Sequence, residues 1–114
     1  MELVNQFKII LNDNFKNLLE SKIDKIISIK EIANQLNVHP NYLSNVIKVE
    51  TGKSASDWIR DRTFSETQSL LKNSDKTISE IAYTFGFTDS THFSKFFKKT
   101  TNISPSEFRK QQFL

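Results

Sequence analysis

Two stretches of this chain repeat one another, and two copies of one unit within 114 residues leave little room for any other architecture. Ile29, Glu31, Ile32, Ala33 and Leu36 recur 49 positions later as Ile78, Glu80, Ile81, Ala82 and Phe85. After one extra residue in the second turn, Leu43, Ile47, Lys48, Thr51, Ser54 and Trp58 recur 50 positions on as Phe93, Phe97, Lys98, Thr101, Ser104 and Phe108. A period near 50 that holds across helix starts, apolar positions and a turn marks a duplicated supersecondary unit.

The clearest copy is residues 79–99, SEIAYTFGFTDSTHFSKFFKK. Ile81, Ala82 and Phe85 share one helical face, Phe93, Phe96 and Phe97 share another, and Gly86-Phe87-Thr88-Asp89 separates them. Two short helices sharing one small core across so short a break cross steeply, which predicts a helix-turn-helix whose second helix is free to enter a DNA major groove. Thr77-Ile78-Ser79-Glu80 reads as a capping box at its start, in which hydroxyl and glutamate each satisfy the other's backbone N–H. Ser28-Ile29-Lys30-Glu31 reads the same way for the first copy, Ser54 to Asp57 as a further cap, and Ser104-Pro105-Ser106-Glu107 as a capping box opening a short last helix with Phe108. In the first copy Asn37-Val38-His39 makes the turn. The helix from Asn41 to about Glu50 is expected to bury Leu43, Val46 and Ile47 and to expose Asn41, Tyr42, Ser44, Asn45 and Lys48, with Thr51-Gly52 ending it.

Outside the two copies, Leu3, Phe7, Ile10, Leu11, Phe15, Leu18 and Leu19 predict a long amphipathic leading helix over residues 3–19. Trp58, Ile59, Arg62, Phe64, Leu70 and Leu71 predict a linker helix over 56–72, about 25 Å long at 1.5 Å per residue. Ten phenylalanines against two glycines and two prolines favour helices over a turn-rich β fold. The expected fold is all-α with about seven helices: a first helix-turn-helix module with its leading helix (1–55), a linker helix (56–72) and a second module (73–114).

Charge is distributed unevenly. Residues 1–89 hold 11 Lys and Arg against 12 Asp and Glu, while residues 90–114 hold Lys95, Lys98, Lys99, Arg109 and Lys110 against Glu107. A basic excess on and after one exposed helix is the footprint of a polyanion partner, the alternative being a solvated lysine face. Enzyme chemistry finds no support, since there is no cysteine, no Gly-rich phosphate loop and no H-E-x-x-H. His39 and His92 lie 53 residues apart with no carboxylate at a zinc-like spacing, so neither metal nor cofactor is expected. No apolar run approaches the roughly 18–20 residues of a membrane span, so no membrane partner is expected and the anticipated location is the cytoplasm.

With both copies placed, residues 28–111 resemble the AraC/XylS family of bacterial transcription regulators. The run SEIAYTFGFTDSTHFSKFFKKTTNISPSEFR carries that family's Ile-Ala, Gly-Phe, Phe-Ser, Phe-Lys-Lys and Pro-Ser-Glu-aromatic-Arg in order. The resemblance implies a DNA-binding domain whose two recognition helices enter adjacent major grooves on one side of a duplex. Three positions depart from the pattern: Asn102 stands where glycine is usual, and Thr63 and Thr67 stand where larger aliphatic and alanine residues are usual.

A major groove about 12 Å wide admits one helix and displays a donor and acceptor code to polar side chains. The expected base contacts are Asn41, Ser44 and Asn45 in the first module and Thr91, Ser94 and Lys95 in the second, with Ser90 and His92 on the margin. Lys48, Lys98 and Lys99 suit phosphate contacts, as do the backbone N–H groups at the capped starts near Ser28 and Thr77. Tyr42 and Phe96 read as packing residues. The linker length sets the two helices roughly 34–36 Å apart, implying a bent, asymmetric site of about 20 base pairs. Double-stranded DNA is thus the expected partner, with RNA polymerase a further one. The chain is expected to be monomeric; either it acts alone, or residues 1–21 continue into a sensor and dimerisation domain outside it, the reading that the long leading helix favours. The competing reading is a helical protein-interaction module that has lost DNA binding.

Overall fold

The computed structural model describes residues 2–111, and among them the regular structure is entirely helical. Seven helices follow in order: α1 Glu2–Leu19, α2 Ile29–Gln35, α3 Pro40–Thr51, α4 Ala55–Asn73, α5 Ile78–Thr84, α6 Ser90–Thr101 and α7 Pro105–Gln111. The chain divides into two compact units, Met1–Arg62 and Thr63–Leu114, with the division falling inside α4.

In the first unit α1 and α2 both pack on α3. The buried stripe of α1 is Val4, Phe7, Leu11, Phe15 and Leu18, a spacing of three and four that keeps one face inward. Leu3 and Ile10, expected in that stripe, are only half-buried on its margin, and Leu19 is exposed because it falls one residue past it. Ile32, Ala33, Leu43, Ile47 and Ala55 complete the core. Polar bonds tie the elements together: the Ile27 N–H donates to Asn14 Oδ1 (3.1 Å), and the Arg62 guanidinium donates to Asn12 Oδ1. The Trp58 indole N–H donates to Thr51 Oγ1 (3.1 Å), with the Lys53 and Lys8 ammonium groups 4.2 and 5.0 Å from its ring centre.

The second unit is built on phenylalanine. Phe97, fully buried, has Phe64, Phe108 and Phe93 at ring separations of 5.2, 5.3 and 6.0 Å, and Phe87 stacks on both Phe93 and Phe96. Tilted and edge-on contacts of this kind add to the burial of each ring. Arg109, counted above with the basic excess, turns onto the end of α4. Its Nε donates to Leu71 O (3.0 Å), a carbonyl in the open last turn of the helix, and its Nη2 to Leu70 O and Ser74 O (both 3.4 Å).

Helix α4 departs from its expected apolar side. Ala55, Thr63, Thr67 and Leu71 are its fully buried positions, with half-buried Ile59 in the same four-residue row. Trp58, Arg62, Phe64 and Leu70 are half-buried beside it. The two threonines therefore occupy the most buried row of the helix, and Thr67 discharges its hydroxyl onto Phe64 O at 2.8 Å.

Candidate nucleic-acid interface

Each unit presents one helix from a turn built in the same way. Helix α2 ends with Val38 N–H donating to Ala33 O (3.1 Å) and Asn37 N–H to Asn34 O (3.2 Å); α5 ends with Phe87 N–H donating to Ala82 O (3.0 Å) and Gly86 N–H to Tyr83 O (3.1 Å). This paired closure needs a left-handed residue at its hinge, which Asn37 supplies at φ 56° and Gly86 at φ 85°. The other ends of the presented helices match as well. Thr51 Oγ1 donates to Ile47 O (2.7 Å) and accepts from Lys53 N–H (3.2 Å); Thr101 Oγ1 donates to Phe97 O (3.0 Å) and accepts from Ile103 N–H (3.2 Å). Gly52 (φ 78°) closes α3 and Asn102 (φ 67°) closes α6, each N–H reaching back four residues to Lys48 O or Lys98 O. Asn102 thus does glycine's work in the second module.

The sides match position by position. From residue 40 to residue 55, every residue has the same degree of burial as the residue 50 places later. Leu43 and Ile47 seat α3, and Phe93 and Phe97 seat α6. At 3.6 residues per turn, Asn45 and Lys95 then stand directly opposite those seats, at the centre of each exposed face. Asn41, Asn45 and Lys48 on α3, and Thr91, Lys95, Lys98 and Lys99 on α6, are exposed; Ser44 and Ser94 are half-buried at the edge. Lys48 Nζ reaches Gly52 O at 3.3 Å.

Tyr42, expected on the exposed side of α3 and read as a packing rather than a base-contacting residue, is 57% exposed: its place in the turn points it away from Leu43 and Ile47, so it takes no place in the core. Val46, expected in the core, is half-buried for the same angular reason. Val49, which attracted no attention in the sequence, is 79% exposed. Phe96 does pack, half-buried with its ring 5.4 Å from Phe87.

The helix starts are more occupied than the sequence suggested. The capping boxes expected before α2 and α5 form: Ser28 N–H donates to Glu31 Oε1 (3.0 Å) and Glu31 N–H to Ser28 Oγ (3.1 Å), with Thr77 and Glu80 bonded likewise at 2.8 and 3.0 Å. The backbone N–H of the capping residue, and then its hydroxyl, hold the Glu31 and Glu80 carboxyls below the usual carboxylate range. The start of α6 is capped by Asp89, whose Oδ1 accepts from His92 N–H (2.9 Å) and contacts His92 Nδ1 (2.9 Å). The His92 backbone bond, followed by its side chain, lowers the Asp89 pKa. His39 caps α3, its Nδ1 accepting from Asn41 N–H at 3.1 Å. Both histidines are therefore parts of helix starts, a role legible in principle from their places just before Asn41 and three residues after Asp89.

Paired, equivalent helices held out by left-handed turns define a tandem helix-turn-helix protein. Residues 32–111 match the family model described as "Helix-turn-helix domain". The chain is 34% identical over 96 residues to the Msm operon regulatory protein of Streptococcus mutans, covering 84% of this chain and 34% of that one. It is 34% identical over 86 residues to the arabinose operon regulatory protein of Escherichia coli, covering 75% of this chain and 30% of that one. The solved C-terminal domain of AraT, a response regulator from Geobacillus stearothermophilus, superposes with a TM-score of 0.83 at 27% identity, over 97% of this chain and 86% of that one. The chain belongs to the helix-turn-helix family of AraC-type transcription regulators, as a DNA-binding domain. It spans 13–38% of the length of eight of the curated relatives it matches.

Proposed function

We propose that this domain recognises a specific double-stranded DNA sequence by placing α3 and α6 in two major grooves, and that it regulates transcription from the bound site. The observation that carries this reading is the matched exposure of the two helices, each seated by two buried residues and offering a polar centre, Asn45 or Lys95, opposite the seat. Asparagine suits an adenine edge and lysine the O6 and N7 acceptors of guanine. Asn41 and Ser44 flank Asn45, and Thr91 and Ser94 flank Lys95, as the other base-reading groups.

Lys48, Lys98 and Lys99 are assigned to phosphates, where they fix register without reading sequence. Ser28 and Thr77 are assigned to phosphates through the helix starts they cap. Because the N–H groups of Ser28 and Thr77 are already taken by Glu31 and Glu80, the donors facing a phosphate there are those of residues 29 and 30, and 78 and 79. Catalysis has no part in this reading. Contact with RNA polymerase, a cytoplasmic site of action and dimerisation through a separate sensor domain extend it.

The test is a mobility-shift titration across salt concentration on duplexes selected from a random library. Sequence-selective binding that weakens steeply with salt supports the proposal, since neutralised phosphates release counterions. Absence of duplex binding at low salt would leave the chain a protein-interaction module of the same fold.

A further inference from the structure

Although α3 and α6 expose the same positions, they do not expose the same chemistry. On α6 the fully exposed positions are all polar: Lys95 at the centre, Thr91 and Lys98 to one side, His92 and Lys99 to the other, with half-buried Phe96 at the inner edge. On α3 the equivalent centre is Asn45, and Asn41 and Lys48 hold one side. The other side is apolar: Tyr42, 57% exposed, and Val49, 79% exposed, with half-buried Val46 at its inner edge. Tyr42 and Val49 are seven residues apart, so they lie two turns apart along one line, and Asn45 stands within one turn of both. Apolar side chains this exposed on a helix whose seat is already complete contribute nothing to the core.

An A·T pair presents four features across the major groove: the adenine N7 acceptor, the adenine N6 donor, the thymine O4 acceptor and the thymine C5 methyl. A reader of that pair needs an amide for the adenine and, beside it, an apolar surface for the methyl. Side chains three or four residues apart on a helix are about 5–6 Å apart at Cβ, the scale of one base pair's edge. Helix α3 carries this arrangement, with Asn45 as the amide and Tyr42 and Val49 as the surface.

We infer that α3 reads A·T pairs through both strands, Asn45 bonding the adenine edge while Tyr42 and Val49 pack on thymine methyl groups, so that the first module is selective for thymine methyls and the second is not. This inference rests on α3 being a DNA-reading helix. The module difference follows from His92 and Lys99, which stand where Tyr42 and Val49 stand and offer a methyl no comparable surface.

The experiment replaces thymines one at a time by uracil, which removes only the C5 methyl, in a duplex selected by the wild-type chain. At one or more thymines in the α3 half of the site, wild type is expected to bind about four-fold more weakly per methyl lost, equivalent to about 0.8 kcal/mol. The same replacement in the α6 half is expected to leave affinity unchanged. The double variant Tyr42→His, Val49→Lys installs the residues that α6 already carries at these positions, and far-UV circular dichroism confirms that it folds. It should bind thymine and uracil duplexes equally; the ratio is internal, so the added charge does not affect it. Equal wild-type affinity for every uracil duplex, or a double variant that keeps the four-fold ratio, overturns the inference while sequence-specific binding stands. A chain that binds no duplex overturns it together with the DNA-binding reading.

Discussion

Replacing Lys98 and Lys99 together by alanine isolates the electrostatic part of binding. Both are exposed in the last turn of α6, on either side of Lys95, and neither comes within 4 Å of a carboxylate oxygen among the described residues, although the Lys98 charge helps to lower the Glu107 pKa. If each neutralises one phosphate, each contributes about 0.9 to the slope of log affinity against log salt, so the double variant loses about 1.8 of that slope. Over a four-fold rise in salt, from about 50 to 200 mM, the advantage of wild type over the variant should shrink about twelve-fold. Because phosphates carry no sequence information, the loss at any one salt concentration should be alike for the selected site and for a scrambled duplex. Fluorescence anisotropy on both duplexes at four salt concentrations measures this. An unchanged slope refutes the assignment of these lysines to phosphates, and a loss confined to the selected site would make them base readers.

Asn45→Ala should leave the salt slope intact and relax discrimination at one position of the selected site by about 1–3 kcal/mol, as read by competition with single-base variants. Phe97→Ala removes the ring at the centre of the second unit's aromatic cluster; it should cost about 3–5 kcal/mol of stability and lower the melting temperature by more than about 10 °C. Acid should unfold the chain through its helix starts. Glu31, Glu80, Glu107 and Asp89 have folded pKa values below their ordinary ones, held there first by the backbone N–H groups they accept from. Their stabilisation is therefore fully present above the unfolded carboxylate pKa, about 4, and is lost as pH falls through the folded values. Melting temperature should be flat from pH 7 to 5 and fall below about 4, and Glu80→Gln should make that fall shallower.

The helices and their starts were legible because caps, apolar spacing and turn residues are local signals. The capping boxes at Ser28, Thr77 and Ser104 all form, the last with Ser104 N–H and Glu107 N–H bonded at 3.2 and 3.1 Å. The repeat by itself makes the two presented helices equivalent. Angular detail on α3 was less legible: Val46 lies one residue from a buried neighbour, and hydrophobicity alone does not say on which side of the boundary such a residue falls. Val49 shows the same limit, an apolar residue placed outward where the second module has Lys99. In α4 the buried row runs through Thr63 and Thr67, which an apolar pattern passes over, since a threonine can bury its methyl once its hydroxyl finds a carbonyl as Thr67 does. Arg109 reads in sequence as one more surface charge; its bonds to Leu70, Leu71 and Ser74 depend on contacts 35–39 residues away.

One chain is proposed to read DNA with two helices. Footprinting on a selected duplex, repeated with Asn45→Ala and with Lys95→Ala, tests it most directly. Two separate major-groove segments should be protected, with Asn45→Ala relaxing contacts in one and Lys95→Ala in the other. Protection of a single segment, with both substitutions acting on the same base pairs, would contradict it.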